Sequence, residues 1–228
     1  MEKIRHAETM IISDLHLGSE VSRADDVLEL LSRYSFERLI LLGDIFDDLD
    51  FRDLKQSHWD FLAYIGKLSK EMEVVWVEGN HDKGFSRIMS ALVGGKVHRS
   101  YSWVFRGEKC LAIHGHQFDR FLINNALISF IASELYILIQ RIDGQDQRVS
   151  RFIKNKSKSW LRLSEKVARS AILYGKLRQA KHVFCGHTHR AMQMEKGGVK
   201  YYNSGCWTDK PSSYITLSEE GVLVQQYA

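Results

Sequence analysis

Five short motifs along the chain carry donor side chains: Asp14-Leu15-His16, Gly43-Asp44, Gly79-Asn80-His81-Asp82, His114-Gly115-His116 and Gly186-His187-Thr188-His189. Carboxylate, imidazole and amide oxygen together suit borderline divalent metals such as Mn²⁺, Fe or Zn²⁺, not a thiolate site. Asp14 and His16 are two apart, so at a strand end both side chains leave one face, and His187 and His189 repeat that spacing. Asp44, in the middle of the series, can bridge two cations through its two oxygens. Two metals about 3.5–4 Å apart can clamp an in-line displacement at phosphorus and lower the pKa of a bridging water. Each motif alone says little, since a lone Gly-Asp or Gly-Asn usually makes a turn. Their order says more, because each begins where an apolar run stops.

Those runs define the elements that must position the motifs. Residues 9–13, 39–42 and 74–77 are predicted as short buried strands. Residues 24–33 carry Val27, Leu28, Leu30 and Leu31 at helical spacing, and 54–68 do so with Leu54, Trp59, Phe61, Leu62, Ile65 and Leu68. Residues 85–93 read as another helix. This βαβα rhythm favours a mainly parallel sheet with helices outside. Strands follow at 102–105 and 110–113, joined by a turn near Arg106 and Gly107, and again at 182–185, 199–203, 214–217 and 222–226. Between them, residues from about 118 to 180 read as a helical insertion, too long for an ordinary connection. In open α/β sheets functional groups gather at the carboxyl ends of strands, where all five motifs would converge. Glycine in the last four lets the backbone turn sharply there.

Composition sets bounds. With 228 residues, 44% of them hydrophobic, the chain fits one α/β domain carrying that insertion. Three cysteines without a C-x-x-C pair suggest no disulfide framework and a reducing, cytoplasmic setting. The opening MEKIRHAETM lacks the apolar core of a signal peptide. The most apolar stretch, 121–142, is broken by Asn124, Asn125, Ser129, Ser133, Glu134, Gln140 and Arg141, so no membrane span is expected. The net charge is +4, yet residues 141–181 hold twelve Lys and Arg against three Asp and Glu. That segment either faces an anionic partner or is a solvated helix face.

From about residue 10 to 205 the motif series resembles the calcineurin-like metallophosphoesterase superfamily. The resemblance implies a four-layer α/β/β/α sandwich with a dinuclear site between the sheets, holding two divalent ions, Mn²⁺ foremost. By motif, Asp14, His16 and His189 would hold the first metal, Asn80, His114 and His187 the second, and Asp44 would bridge. His81 would bind no metal but would assist catalysis, as proton donor to the leaving oxygen or by stabilising phosphoryl charge. Within the superfamily the chain is similar to the bacterial UDP-2,3-diacylglucosamine pyrophosphatase-like branch, in His114-Gly115-His116-Gln117-Phe118-Asp119, in the insertion, in Cys185-Gly186-His187-Thr188-His189 and in Tyr202-Asn203-Ser204-Gly205-Cys206-Trp207. It differs from that branch at His81 and His116, where Arg and Asp are usual.

The expected substrate is a phosphorylated small molecule or a lipid-linked phosphate. The insertion would serve as a lid, its apolar part taking acyl chains and its basic part resting on the anionic inner face of a membrane. Soluble nucleotides, nucleic acid or a phosphoprotein are the alternative; only Phe152, Trp160 and Tyr174 interleave the basic residues, which is poor support for stacking on single strands. Asp47 and Asp48 are read as loop caps or as hydrogen-bond partners of a ligand histidine. His116 is read as a neighbour of His114 rather than a ligand, and Arg190 as a phosphate contact or a surface residue. Cys206 and Trp207 are expected to pack near the site.

Overall fold

A computed structural model describes residues 4–48, 50–84, 96–119 and 158–227, with positions 88, 90, 91 and 94 besides. Residues 120–157 lie outside the described residues, and with them the apolar stretch 121–142 and most of the expected insertion. The helix expected at 85–93 also lies largely outside them.

Two sheets face each other. The first has the order β11-β10-β1-β2-β3-β4. In it β1 (Arg5–Ile12), β2 (Tyr34–Leu42), β3 (Glu73–Val77) and β4 (Val97–His98) run parallel. β10 (Ser212–Ser218) joins β1 antiparallel, and β11 (Gly221–Tyr227) joins β10 in the same way. The second sheet has the order β5-β6-β7-β9-β8. Its β6 (Glu108–Ala112), β7 (His182–Cys185) and β9 (Val199–Asn203) are parallel, with β5 (Tyr101–Phe105) and β8 (Met192–Lys196) antiparallel at the edges.

Side-chain alternation sorts each strand between two cores. Met10 and Ile12 of β1 and Leu39 and Leu41 of β2 pack under α1 (Ala24–Ser32) and α2 (Gln56–Leu68), against Val27, Leu30, Phe61 and Ile65. Ile11, Ile40 and Leu42 point the other way, onto Trp103, Cys110, Ala112 and Phe184 of the second sheet. On that sheet's far side Leu111, Val183 and Tyr201 pack on Ala168, Ala171 and Ile172 of α3 (Lys158–Leu177). The three cores separate four layers, α/β/β/α, as the motif resemblance implies. Because the inner face of each sheet is as apolar as its outer face, the central strands read as unbroken apolar runs.

Three features depart from the sequence reading. β4 and β8, the latter of sequence MQMEK, are edge strands not foreseen. β10 begins at Ser212, two residues early, because Ser212 and Ser213 are buried with their hydroxyls donating to Asp209 O and Ser204 O. β1 and β2 extend back to Arg5 and Tyr34, past the apolar runs. Cys110, Cys185 and Cys206 are buried free thiols. Among the described residues no helix is long and apolar enough to cross a membrane.

Candidate metal centre

The first three motifs leave the carboxyl ends of β1, β2 and β3, and the other two leave β6 and β7, which are neighbours in the facing sheet. Asp14, His16, Asp44, His187 and His189 all adopt the left-handed backbone region, with φ of 52°, 50°, 50°, 67° and 51°. Elsewhere among the described residues only Arg106 and Gln179 are non-glycine examples. Such a conformation costs roughly 1–3 kcal/mol per residue and persists only where surroundings enforce it. Here the strand-end loops are zipped together. Asp14 N donates to Gly43 O (3.0 Å), His16 N to Asp44 O (3.1 Å) and Gly186 N to His114 O (3.0 Å). The buried Asp82 carboxylate accepts from the amides of Ile45, Phe46 and Gly79 and so moulds the loop bearing Asp44. Two glycines are required by close approach. A Cβ at Gly79 would collide with Asp44, and one at Gly186 with Asp14 and Ser13.

The expected ligand residues meet in two sets. In Asp14, His16 and His189, and again in Asp44, His114 and His187, one donor atom from each residue lies within 4.8 Å of the other two. His16 Nε2 faces His189 Nε2 at 3.2 Å, and His189 Nε2 lies 3.2 Å from Asp14 Oδ1. His114 Nε2 lies 3.1 Å from Asp44 Oδ2, yet it is buried without a hydrogen bond of proper geometry. The buried Asn80 Oδ1 likewise has no hydrogen-bond partner. An orphaned buried acceptor such as Asn80 Oδ1 is costly, and a bound cation would satisfy it. The residues present therefore fit divalent metal ions.

Electrostatics points the same way. Burial works to raise the Asp44 pKa, but His114, His81 and His16 outweigh it and hold this carboxyl well below its usual range. Asp14 is lowered too, His189 outweighing burial. Burial opposes charge on His114, yet Asp44 lifts it to about 9. His189 is also raised, burial being overcome by Cys206 and Asp14. Protons thus stand in for positive charge between the carboxylates. Asp82 is pushed up to about 6 by burial and by Asp44. His116 is pushed down to about 4, by burial and by His114 and His187, which favours its neutral form.

Oxygen atoms behind the rings orient them. His16 Nδ1 is 2.8 Å from Asp47 Oδ1, and His114 Nδ1 donates to Leu42 O at 2.8 Å. Each ring then turns Nε2 toward the centre. His187 Nε2 lies 3.2 Å from Asp119 Oδ2. His81, by contrast, is exposed at the rim. Its Nδ1 donates to Asp47 O (2.5 Å), its amide donates to Asp44 Oδ1 (2.9 Å), and its ring meets that of His16 edge-on at 4.9 Å. His81, His16 and Asp47 make a third cluster of metal-capable groups. His116 lies outside all three, its ring 5.5 Å from that of His114. Arg190 sits 6.0 Å over the Trp160 ring, with one buried guanidinium nitrogen unpartnered.

The segment after β9 backs the site, as expected of Cys206 and Trp207. Trp207 N donates to Asp14 O (3.0 Å), Ser13 Oγ donates to Asp14 Oδ2 and pairs with Ser204 Oγ, and Asn203 Nδ2 holds Gly186 O at 2.6 Å. Sequence reasoning missed Ser13, Asp82, Asp119 and Asn203 as supports. Asp82, Asp119 and Asn203 lay within quoted motifs, which was the available signal.

The calcineurin-like phosphoesterase superfamily domain matches residues 8–221. Among solved structures, YfcE, a phosphoesterase from E. coli, has a TM-score of 0.55 at 16% identity, covering 94% of this chain and 90% of that one. A novel archaeal phosphodiesterase has a TM-score of 0.51 at 14% identity, covering 96% and 98%. Both likenesses are of fold. The DNA polymerase II small subunit of Halobacterium salinarum is 29% identical over 94 residues, which span 34% of this chain but only 18% of that protein. With the family match running from β1 to β11 and metal-capable sets at the strand ends, the chain belongs to the calcineurin-like phosphoesterase superfamily.

Proposed function

We propose that the chain hydrolyses a phosphate ester or pyrophosphate bond with two divalent cations, Mn²⁺ foremost and Fe or Zn²⁺ as alternatives. Asp14, His16 and His189 would hold the first, Asn80, His114 and His187 the second, and Asp44 would lie between them. The observation that carries this reading is the buried Asn80 Oδ1, which no protein hydrogen satisfies, together with the converging donor sets of Asp14, His16 and His189 and of Asp44, His114 and His187. Cations held there would supply Lewis-acid polarisation of the phosphoryl group and a more acidic water.

The chain's own residues do the rest. Asp47 O fixes His81 through Nδ1–H, which leaves Nε2 to face the substrate. A protonated His81 can give its Nε2 proton to the leaving oxygen or hydrogen-bond a phosphoryl oxygen. Its exposure, against the burial of His16 and His114, supports a role toward substrate over one as ligand. The substrate we propose is amphiphilic, a lipid-linked phosphate of the UDP-diacylglucosamine kind. What supports this is the branch resemblance and the outward face of α3, where Arg162, Lys166, Arg169 and Leu173 line an open groove and Leu177 is exposed. Peripheral contact with an anionic membrane fits the same face.

A hydrolysis panel with Mn²⁺ tests both levels. It should include UDP-sugar lipids, phospholipid monoesters, cyclic nucleotides, single-stranded DNA, a phosphopeptide and a generic aryl phosphodiester. Turnover of the aryl diester that disappears on chelation is expected, with a higher kcat/KM for lipid-linked substrates. Full activity after chelation overturns the metal reading, and preference for nucleotides, DNA or phosphopeptide overturns the lipid one.

A further inference from the structure

We infer that Asp119 is a positioning residue for the second cation: its buried carboxylate takes the Nε2–H of His187 and turns Nδ1 of that ring toward the metal centre. The inference rests on the two-cation reading above. Asp119 is 1% exposed and its Oδ2 lies 3.2 Å from Nε2 of His187, whose side chain is 6% exposed. The neighbouring rings set the pattern. His16 and His114 each have one nitrogen engaged by an oxygen behind the ring and the other left for the centre. In those two the engaged nitrogen is Nδ1. In His187 it is Nε2, so the nitrogen left to join Asp44 and His114 is Nδ1. An oxygen that holds one ring nitrogen fixes the tautomer, and a carboxylate also raises the basicity of the other nitrogen.

The local backbone is built to bring Asp119 there. Gly115 takes φ 113°, open to glycine, and turns the chain directly after His114. A single 3-10 turn, His116–Phe118, follows, closed by Phe118 N donating to Gly115 O and Asp119 N to His116 O. Phe118 packs on Tyr174 of α3, ring centroids 5.8 Å apart, which clamps the turn to the outer helix layer. The spacing His-Gly-x-x-x-Asp thus delivers two groups to the second cation's surroundings: His114 as ligand, and five residues later the carboxylate that sets His187.

The test is a Mn²⁺ titration of the full chain, followed by electron paramagnetic resonance, for the wild type, Asp119→Ala, Asp119→Asn and His187→Ala. A bridging Asp44 makes two bound Mn²⁺ magnetically coupled, so the paired signal reports the second ion and the isolated signal the first. Asp119→Ala should weaken the second ion by about 10–100-fold and leave the first unchanged. Asp119→Asn, whose amide oxygen can still accept Nε2–H without the charge, should weaken it several-fold, between wild type and Ala. His187→Ala should lose the pair altogether. Wild-type affinity for both ions in Asp119→Ala, or equal weakening of both, overturns the inference. If Asp119→Ala does not fold, a second-ion affinity in Asp119→Asn equal to wild type overturns it. A wild type that binds no coupled pair overturns the two-cation reading instead, so the two failures are distinct.

Discussion

The two donor sets are built differently. Asp14 and His16 come from one strand end of the first sheet and meet His189 across the gap between sheets. The second set draws on β2 for Asp44, β6 for His114 and β7 for His187, and Asn80 follows β3 just before His81, whose amide donates to Asp44. The His189 side chain is 25% exposed, whereas that of His114 is fully buried. The first set therefore opens toward solvent, and the second is sealed behind it with its rings held by Leu42 O and Asp119. Depth makes ligation rigid but makes every support count, since an unpaired group there has no water to turn to.

The largest effect is expected where the sets join. Asp44→Asn should disturb both ions and lower activity beyond the about 10²–10³-fold that one electrostatic donor is worth. Metal analysis after Mn²⁺ reloading should find both occupancies reduced; loss of one ion alone would break the idea of a shared bridge. Next comes His81→Ala, with a kcat loss of about 10²–10⁴-fold and near-normal metal content. Loss of an ion would make His81 a ligand of the open set.

Two glycines sharpen the contrast further. Gly186→Ala presses on Asp14 and should weaken the first ion, while Gly79→Ala presses on Asp44 and should weaken both. Each should also cost about 1–3 kcal/mol of stability, measurable by urea unfolding. If the two variants share one metal-binding profile, the sets are not separable.

The smallest effect concerns protons. The folded pKa of His114 is raised to about 9, so its pairing with Asp44 stabilises the metal-free protein fully below about 6.5 and is lost as pH rises through about 9. The Tm of chelated protein should fall by roughly a few degrees between pH 7 and 9. A cation must displace that proton, so apparent affinity should rise about tenfold per pH unit for each proton released. Calorimetry in buffers of different ionisation enthalpy counts those protons, and a count of zero contradicts the pairing.

The legible parts of the molecule were those with a one-dimensional signature. β1, β2 and β7 are apolar runs because both their faces are buried, and the donor motifs start where these runs stop. β8 was invisible, since an edge strand reading MQMEK buries little and alternates weakly. Asp82 and Asp119 were hidden for another reason. Their partners are Phe46 N and His187 Nε2, dozens of residues away, and no local pattern records such a pairing. Asp47 was foreseen as a hydrogen-bond partner of a ligand histidine because it lies three residues past Asp44, within reach of the same loop. Trp76 and Trp103 are core residues, and His58 and His182 serve structure, His58 accepting from the amides of Gly18 and Lys55 and His182 facing Glu108.

The backing of Asp14 by the segment after β9 has a consequence for biosynthesis. Asp14 is translated well before its partners: its carbonyl waits for Trp207, its hydroxyl neighbour Ser13 waits for Ser204, and β1 lacks its antiparallel neighbour until β10 is made. A nascent chain halted before residue 204 can join Asp14 to Gly43 and His16 to Asp44 but lacks the backing of Ser13 by Ser204 and of Asp14 by Trp207. The open donor set is therefore fully backed only once residue 207 is made, so the growing chain meets the cell's metal pool with Asp14 not yet held in place.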